Sequence, residues 1–150
     1  TAGDYSGYSV SLSANGNLVA IGAPNNSGNG SNAGHVRIYR LNGSTWAQLG
    51  LDIDGEAGGD QSGISVSISA NGSRVAIGAP YNGGSNSGHV RIYKWNGTTW
   101  VQSGVDIDGE AAGDQSGFSV SLSADGTRVA IGAPYNDGNG GDSGHVRVYE

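Results

Sequence analysis

The sequence predicts an all-β chain built from three copies of one four-stranded antiparallel unit, and three observations carry that prediction. Landmarks recur at a near-constant period, apolar and polar residues alternate with period two inside each copy, and Asn-Gly or Asp-Gly pairs separate the alternating runs. Gly-Ala-Pro ends at Pro24, Pro80 and Pro134, and Gly-His-Val-Arg places His35, His89 and His145. The proline landmarks step by 56 then 54 residues and the histidines by 54 then 56, so one shortened loop between Pro80 and His89 explains the whole difference. Confinement of length variation to one loop is the behaviour of a structural repeat.

In the second copy the four runs fall at 64–69, 74–79, 89–94 and 99–107, each alternating as a half-buried strand does. Asn71-Gly72 joins the first run to the second and Asn96-Gly97 the third to the fourth. Both pairs read as two-residue type I′ hairpin turns, which need positive φ at both central residues. Asn15-Gly16, Asp125-Gly126 and Asn42-Gly43 repeat the pattern, and no segment has helical periodicity. Four antiparallel strands per copy, stacked radially, make a β-propeller blade. The repeats span about 1–56, 57–110 and 111–150 of a single part-ring domain over 1–150, and the third lacks its outer strand. Closed propellers have about four to eight blades. The expectation is therefore either a fragment of a longer array or a part-ring closed by oligomerisation, a dimer giving six blades being favoured over a trimer giving nine.

Composition agrees with short strands and many tight turns: 29 Gly in 150 residues, one Phe, no Cys and no Met. The lack of Met implies a chain that was trimmed or excised, and the lack of Cys removes disulfides and thiolate metal sites. Net charge is −6 and the seven basic residues are scattered singly, so no patch neutralises a run of phosphates and nucleic acid is excluded as a partner. No stretch approaches the roughly 20 apolar residues of a membrane span.

The stretch 118–134, Phe-Ser-Val-Ser-Leu-Ser-Ala-Asp-Gly-Thr-Arg-Val-Ala-Ile-Gly-Ala-Pro, resembles an FG-GAP repeat, the blade unit of integrin α-subunit propellers. The preceding Asp-Gly-Glu-Ala-Ala-Gly-Asp-Gln-Ser-Gly is similar to a bacterial and algal branch found in large secreted or surface proteins. The resemblance implies an extracellular or cell-surface adhesion, ligand-binding or spacer module. It departs from the family where the Phe-Gly pair is reduced to Gly followed by Tyr8, Ile64 or Phe118. It departs again where the family's calcium loop between the first two strands is replaced by a bare turn.

Asp52, Asp54, Glu56 and Asp60, repeated as Asp106, Asp108, Glu110 and Asp114, are the candidate calcium ligands, because carboxylates at alternate positions can converge on a hard cation. In the alternative, Asp60 and its equivalents bind loop amides while the others are solvated or paired with arginine. The three histidines are separated by the repeat and serve structure at the start of the third strand. Serines mark alternate strand positions, no catalytic residue is assigned, and the chain is read as no enzyme. Arg37, Arg91 and Arg147 are expected between blades, stems packed and heads paired to carboxylates. Trp46 and Trp100 are expected to cover seams, sugar stacking being the alternative, and Trp95 to pack locally. Loops 25–34, 81–88 and 135–144 form the candidate ligand face, for a glycan or protein ligand. The function expected is a self-associating structural or adhesive module, the alternative a multivalent lectin assisted by calcium.

Overall fold

The computed structural model describes residues 1–150, and its regular structure is entirely β. The first sheet runs β1 (Ser9–Leu12), β2 (Leu18–Ala23), β3 (His35–Asn42), with β4 (Thr45–Gln48) and β5 (Ile53–Asp54) both paired to the outer side of β3. The second repeats it as β6 (Ser65–Ile68), β7 (Arg74–Ala79), β8 (His89–Trp95), β9 (Trp100–Gln102) and β10 (Ile107–Asp108). The third stops at β11 (Ser119–Leu122), β12 (Val129–Ala133) and β13 (His145–Tyr149). All pairings within the sheets are antiparallel, and each sheet is one propeller blade.

Two local expectations are corrected. The run 99–107 is two short strands, because the outer chain spends more residues than β8 between shared contacts. Ser103 donates its amide to Ile92, whereas Ile107 already pairs with Val90. Gly104, at φ 85°, absorbs the excess as a bulge, as Gly50 does at φ 82° in the first blade. The turns at Asn71-Gly72 and Asn96-Gly97 are not type I′, since only the glycine of each pair has positive φ. The Asn71 carboxamide oxygen instead accepts from the Ser73 amide (3.0 Å) and the Ser69 hydroxyl (3.0 Å), and Ser69 pairs with Arg74 across a four-residue loop.

The core lies between sheets. Period-two alternation along β7 turns Val75 and Ile77 to one side and Ala76 and Gly78 to the other. Val66, Ile68, Val75 and Ile77 of the second blade pack on Ala20, Val36 and Ile38 of the first. Ala76 and Val90 of the second blade in turn receive the third, whose Val129 and Ile131 are buried against them. Each blade thus has a bulky face and a small-residue face, and bulky meets small at both seams. The small face has to be small: a Cβ on Gly22 would sit 2.1 Å from the Gly63 carbonyl oxygen, and one on Gly78 2.0 Å from that of Gly117. The connection 55–62 laces neighbours together, with Gly34 bridged to Ser62 and the Asn29 carboxamide donating to Gly55 O at 2.8 Å.

Candidate functional site

Serine spacing builds the polar half of each seam. Ser9 Oγ donates to Gly63 O at 2.7 Å, and Ser65 Oγ donates to Gly117 O at the same distance. Ser11 Oγ accepts the Ile68 amide (3.1 Å) and Ser67 Oγ the Leu122 amide (2.9 Å). The Ala14 amide donates to Ala70 O and the Ala70 amide to Ala124 O, both at 2.9 Å. The sequence showed these serines only as alternate strand positions. The pairing of Val and Ile against Ala and Gly in the second run was the signal for two unlike faces.

At the ends of the chain the same faces are bare. Val66 and Ile68 are 9% and 7% exposed, whereas their repeat equivalents Val10 and Leu12 are 63% and 60% exposed. Val36 and Ile38 are fully buried, whereas Val146 and Val148 are 69% and 63% exposed. The first blade presents a bulky face and the third a small one, so the two ends have the shapes that mate inside the chain.

The predicted carboxylates divide among three places. Asp52 meets Arg37 in a two-pronged pair (Nε to Oδ1 2.9 Å, Nη2 to Oδ2 2.8 Å) and accepts from Gln48 Nε2 at 2.7 Å. Asp106 repeats this with Arg91 (2.9 Å twice) and Gln102 (2.6 Å). Hydrogen bonds from these arginines hold both carboxyls below the ordinary range. Glu56 leaves its own sheet and contacts Arg91 of the next, and Glu110 contacts Arg147 likewise. Asp60 accepts from the Ala57 amide (2.9 Å) and Asn82 (3.1 Å), and Asp114 from the Ala111 amide (3.1 Å) and Asn136 (2.8 Å). Asp54 and Asp108 are exposed on the two-residue outer strands. The structure therefore gathers His35 with Asp52 and Asp54, and His89 with Glu56 and Asp106, rather than each run of four carboxylates. His89 Nδ1 is buried without a hydrogen-bond partner, 3.7 Å from Asp106 and 3.9 Å from Glu56. Burial, then the Arg91 cation, push this imidazole below its usual range despite the carboxylates, and burial and Arg37 do the same to His35.

Between the connection 56–60 and the loop 81–86 lies an open cavity of about 670 Å³ lined by Glu56, Asp60, Tyr81 and Asn82 among others. It lies on the predicted ligand face. Of the two equivalent tryptophans, Trp100 is buried at the first seam, with its ring tilted at 54° to Trp95, whereas Trp46 is 46% exposed.

Among solved structures, the chain is similar to the crystal structure of the tricorn protease, at 10% identity and a TM-score of 0.48 over 85% of this chain and 11% of that one. The chain thus spans about a tenth of that protein's length. No curated protein sequence matches the chain. The family model described as FG-GAP repeat matches residues 1–39 and 105–149, together more than half of the chain, and its two segments hold the seam-forming second and third strands of the outer blades. The chain belongs to the FG-GAP repeat family.

Proposed function

We propose that this chain is a non-enzymatic interaction module of an extracellular or surface protein, which associates head to tail with copies of itself to complete a propeller ring. One observation carries the reading: positions that are buried at the internal seams are bare at the two ends, and the bare faces are unlike and complementary. A contact between unlike faces is heterologous, so it closes a ring when the rotation fits and otherwise propagates. Ser121 and Ala124 hold the places from which Ser67 and Ala70 reach the following blade, so the polar half of the seam is also on offer. Two copies give six blades and three give nine.

The test uses two variants. Val10→Asp with Leu12→Asp spoils the bulky end, and Val146→Asp with Val148→Asp spoils the small end. Each variant alone sediments at the 15.0 kDa chain mass, and their mixture forms a one-to-one pair through the two intact ends. Variants that keep the parent's assembly, or a mixture that stays monomeric, would overturn the reading.

A second reading rests on the cavity between 56–60 and 81–86. Its carboxylates, carboxamide and tyrosine are the mixture that binds sugars, and repetition would give several weak equivalent sites with avidity for branched glycans. A glycan array, run with and without calcium, tests this lectin function, and a blank array removes it.

A further inference from the structure

The imidazole at the head of β8 is buried with one nitrogen unused. His89 is 3% exposed, and its backbone is fixed between β7, where it pairs with Ala79, and β10, where it pairs with Asp108. Its Nδ1 is buried and makes no hydrogen bond. Buried polar atoms are otherwise paired almost without exception, so this one calls for a partner. It faces two carboxylates, with Asp106 Oδ2 at 3.7 Å and Glu56 Oε2 at 3.9 Å. Both gaps are too long for a hydrogen bond.

The same gaps suit donors that share an ion. Zinc lies about 2.0–2.2 Å from an imidazole nitrogen or a carboxylate oxygen, which puts two donors of a tetrahedral site about 3.4 Å apart. The three donor atoms of Glu56, His89 and Asp106 lie within 4.8 Å of one another, so closing round an ion takes side-chain shifts of about an ångström or less. Each carboxylate is held from behind. Gln102 Nε2 (2.6 Å) and Arg91 Nε (2.9 Å) both donate to Asp106 Oδ1, and Arg91 holds Glu56 by Oε1. Outer partners of this kind fix the orientation of metal ligands. Arg91 Nη2 also reaches Asp106 Oδ2 at 2.9 Å, and that is the contact an ion displaces. Burial and the Arg91 cation keep His89 below the usual imidazole range, in the neutral form that binds metal at neutral pH. One nitrogen and two carboxylates suit zinc and its neighbours, whereas calcium takes six to eight oxygens.

We propose that Glu56, His89 and Asp106 form a site for a zinc-class divalent cation, bound by His89 Nδ1, Asp106 Oδ2 and Glu56 Oε2. Glu56 belongs to the connection that leaves the first blade, whereas His89 and Asp106 belong to the second, so the ion ties one blade to the next. The ligand set differs from the calcium run expected in the sequence, because it draws on two repeats and includes a nitrogen. The site depends neither on self-association nor on a bound glycan.

The experiment titrates the 150-residue chain with zinc chloride by calorimetry in a buffer that does not chelate metal, and follows the imidazoles by long-range proton–nitrogen correlation spectra. Saturable binding is expected, and zinc shifts the Nδ1 resonance of His89. His89→Gln and Glu56→Gln each weaken binding more than about tenfold, since loss of an outer partner alone already costs that much. His35→Gln, which removes the equivalent imidazole of the first blade, leaves the His89 shift unchanged. Zinc also raises the urea midpoint of the parent chain and not that of His89→Gln. The Glu56 side chain is 45% exposed, so Glu56→Gln keeps the test sound even where the histidine variant unfolds. No heat from the parent chain, undiminished binding by Glu56→Gln, or displacement of zinc by excess calcium overturns the proposal.

Discussion

Gly78→Ala and Gly132→Ala make the same chemical change at the same place in two successive blades, and only one of them meets a neighbour. At Gly78 the new methyl lies 2.0 Å from the Gly117 carbonyl oxygen and 2.4 Å from Ser65 Oγ, the pair joined by a seam hydrogen bond. At Gly132 it meets only Ser119 Oγ, at 2.3 Å, and that hydroxyl holds no partner and can rotate away. Neither glycine has positive φ, so alanine meets no backbone penalty at either site. Forcing a methyl into a packed contact costs about 1–3 kcal/mol. Loss of the serine hydrogen bond adds about 0.5–1.5 kcal/mol. Stiffening the unfolded chain returns about 0.4–1 kcal/mol. Gly78→Ala therefore destabilises by roughly 0.5–4 kcal/mol, and Gly132→Ala stays within about 1 kcal/mol of the parent. Urea unfolding monitored by far-ultraviolet dichroism, repeated over a tenfold range of protein concentration to separate association from folding, measures both. An equal loss at the two positions, at concentrations where the chain is monomeric, would refute the reasoning, because it would show that the neighbouring carbonyl is not what forbids a side chain.

Three further outcomes follow from the same geometry. Trp100→Ala removes a buried indole and costs about 3–5 kcal/mol, whereas Trp46→Ala, half exposed in the monomer, costs under about 1 kcal/mol, both read by denaturant unfolding. Arg91→Ala leaves Asp106 and Glu56 facing each other and costs about 1.5–3 kcal/mol, while Arg37→Ala, whose side chain is 40% exposed, costs about 0–1 kcal/mol. His35 and His89 take up protons less readily in the folded state than in the unfolded one, so their contribution to stability is present above the ordinary imidazole range and is lost as pH falls through it. The urea midpoint is therefore expected to fall between about pH 7.5 and 5.5, and less steeply in His89→Gln than in the parent. A midpoint that rises over this interval would contradict the placement of His89 as a buried neutral group.

How far the sequence revealed the structure depends on whether a feature is local or lies between blades. Strand β7 falls on the residues 74–79 that alternation marks, and β8 starts at His89 as the repeat requires. That the arginines pair with carboxylates was also legible, but Arg37, expected between blades, instead meets Asp52 just before β5 of its own blade. The break in the outer strand was not, because the glycine that makes it, Gly104, looks like any loop glycine until its partner strand is known. Glu56 could not be assigned to the next blade from spacing, as a connection between sheets has no periodicity to read. Trp46 and Trp100 are equivalent in sequence and opposite in burial because exposure depends on which blades stand beside them.

The central claim is that a blade cannot shield its own faces and that the faces left bare here cover one another between copies. Sedimentation equilibrium of the unmodified chain at micromolar concentration tests it most directly. A discrete mass at a whole multiple of 15.0 kDa, twice or three times, is predicted. A single species at 15.0 kDa that persists as concentration rises would contradict it, and would mean that Val10, Leu12, Val146 and Val148 remain in water.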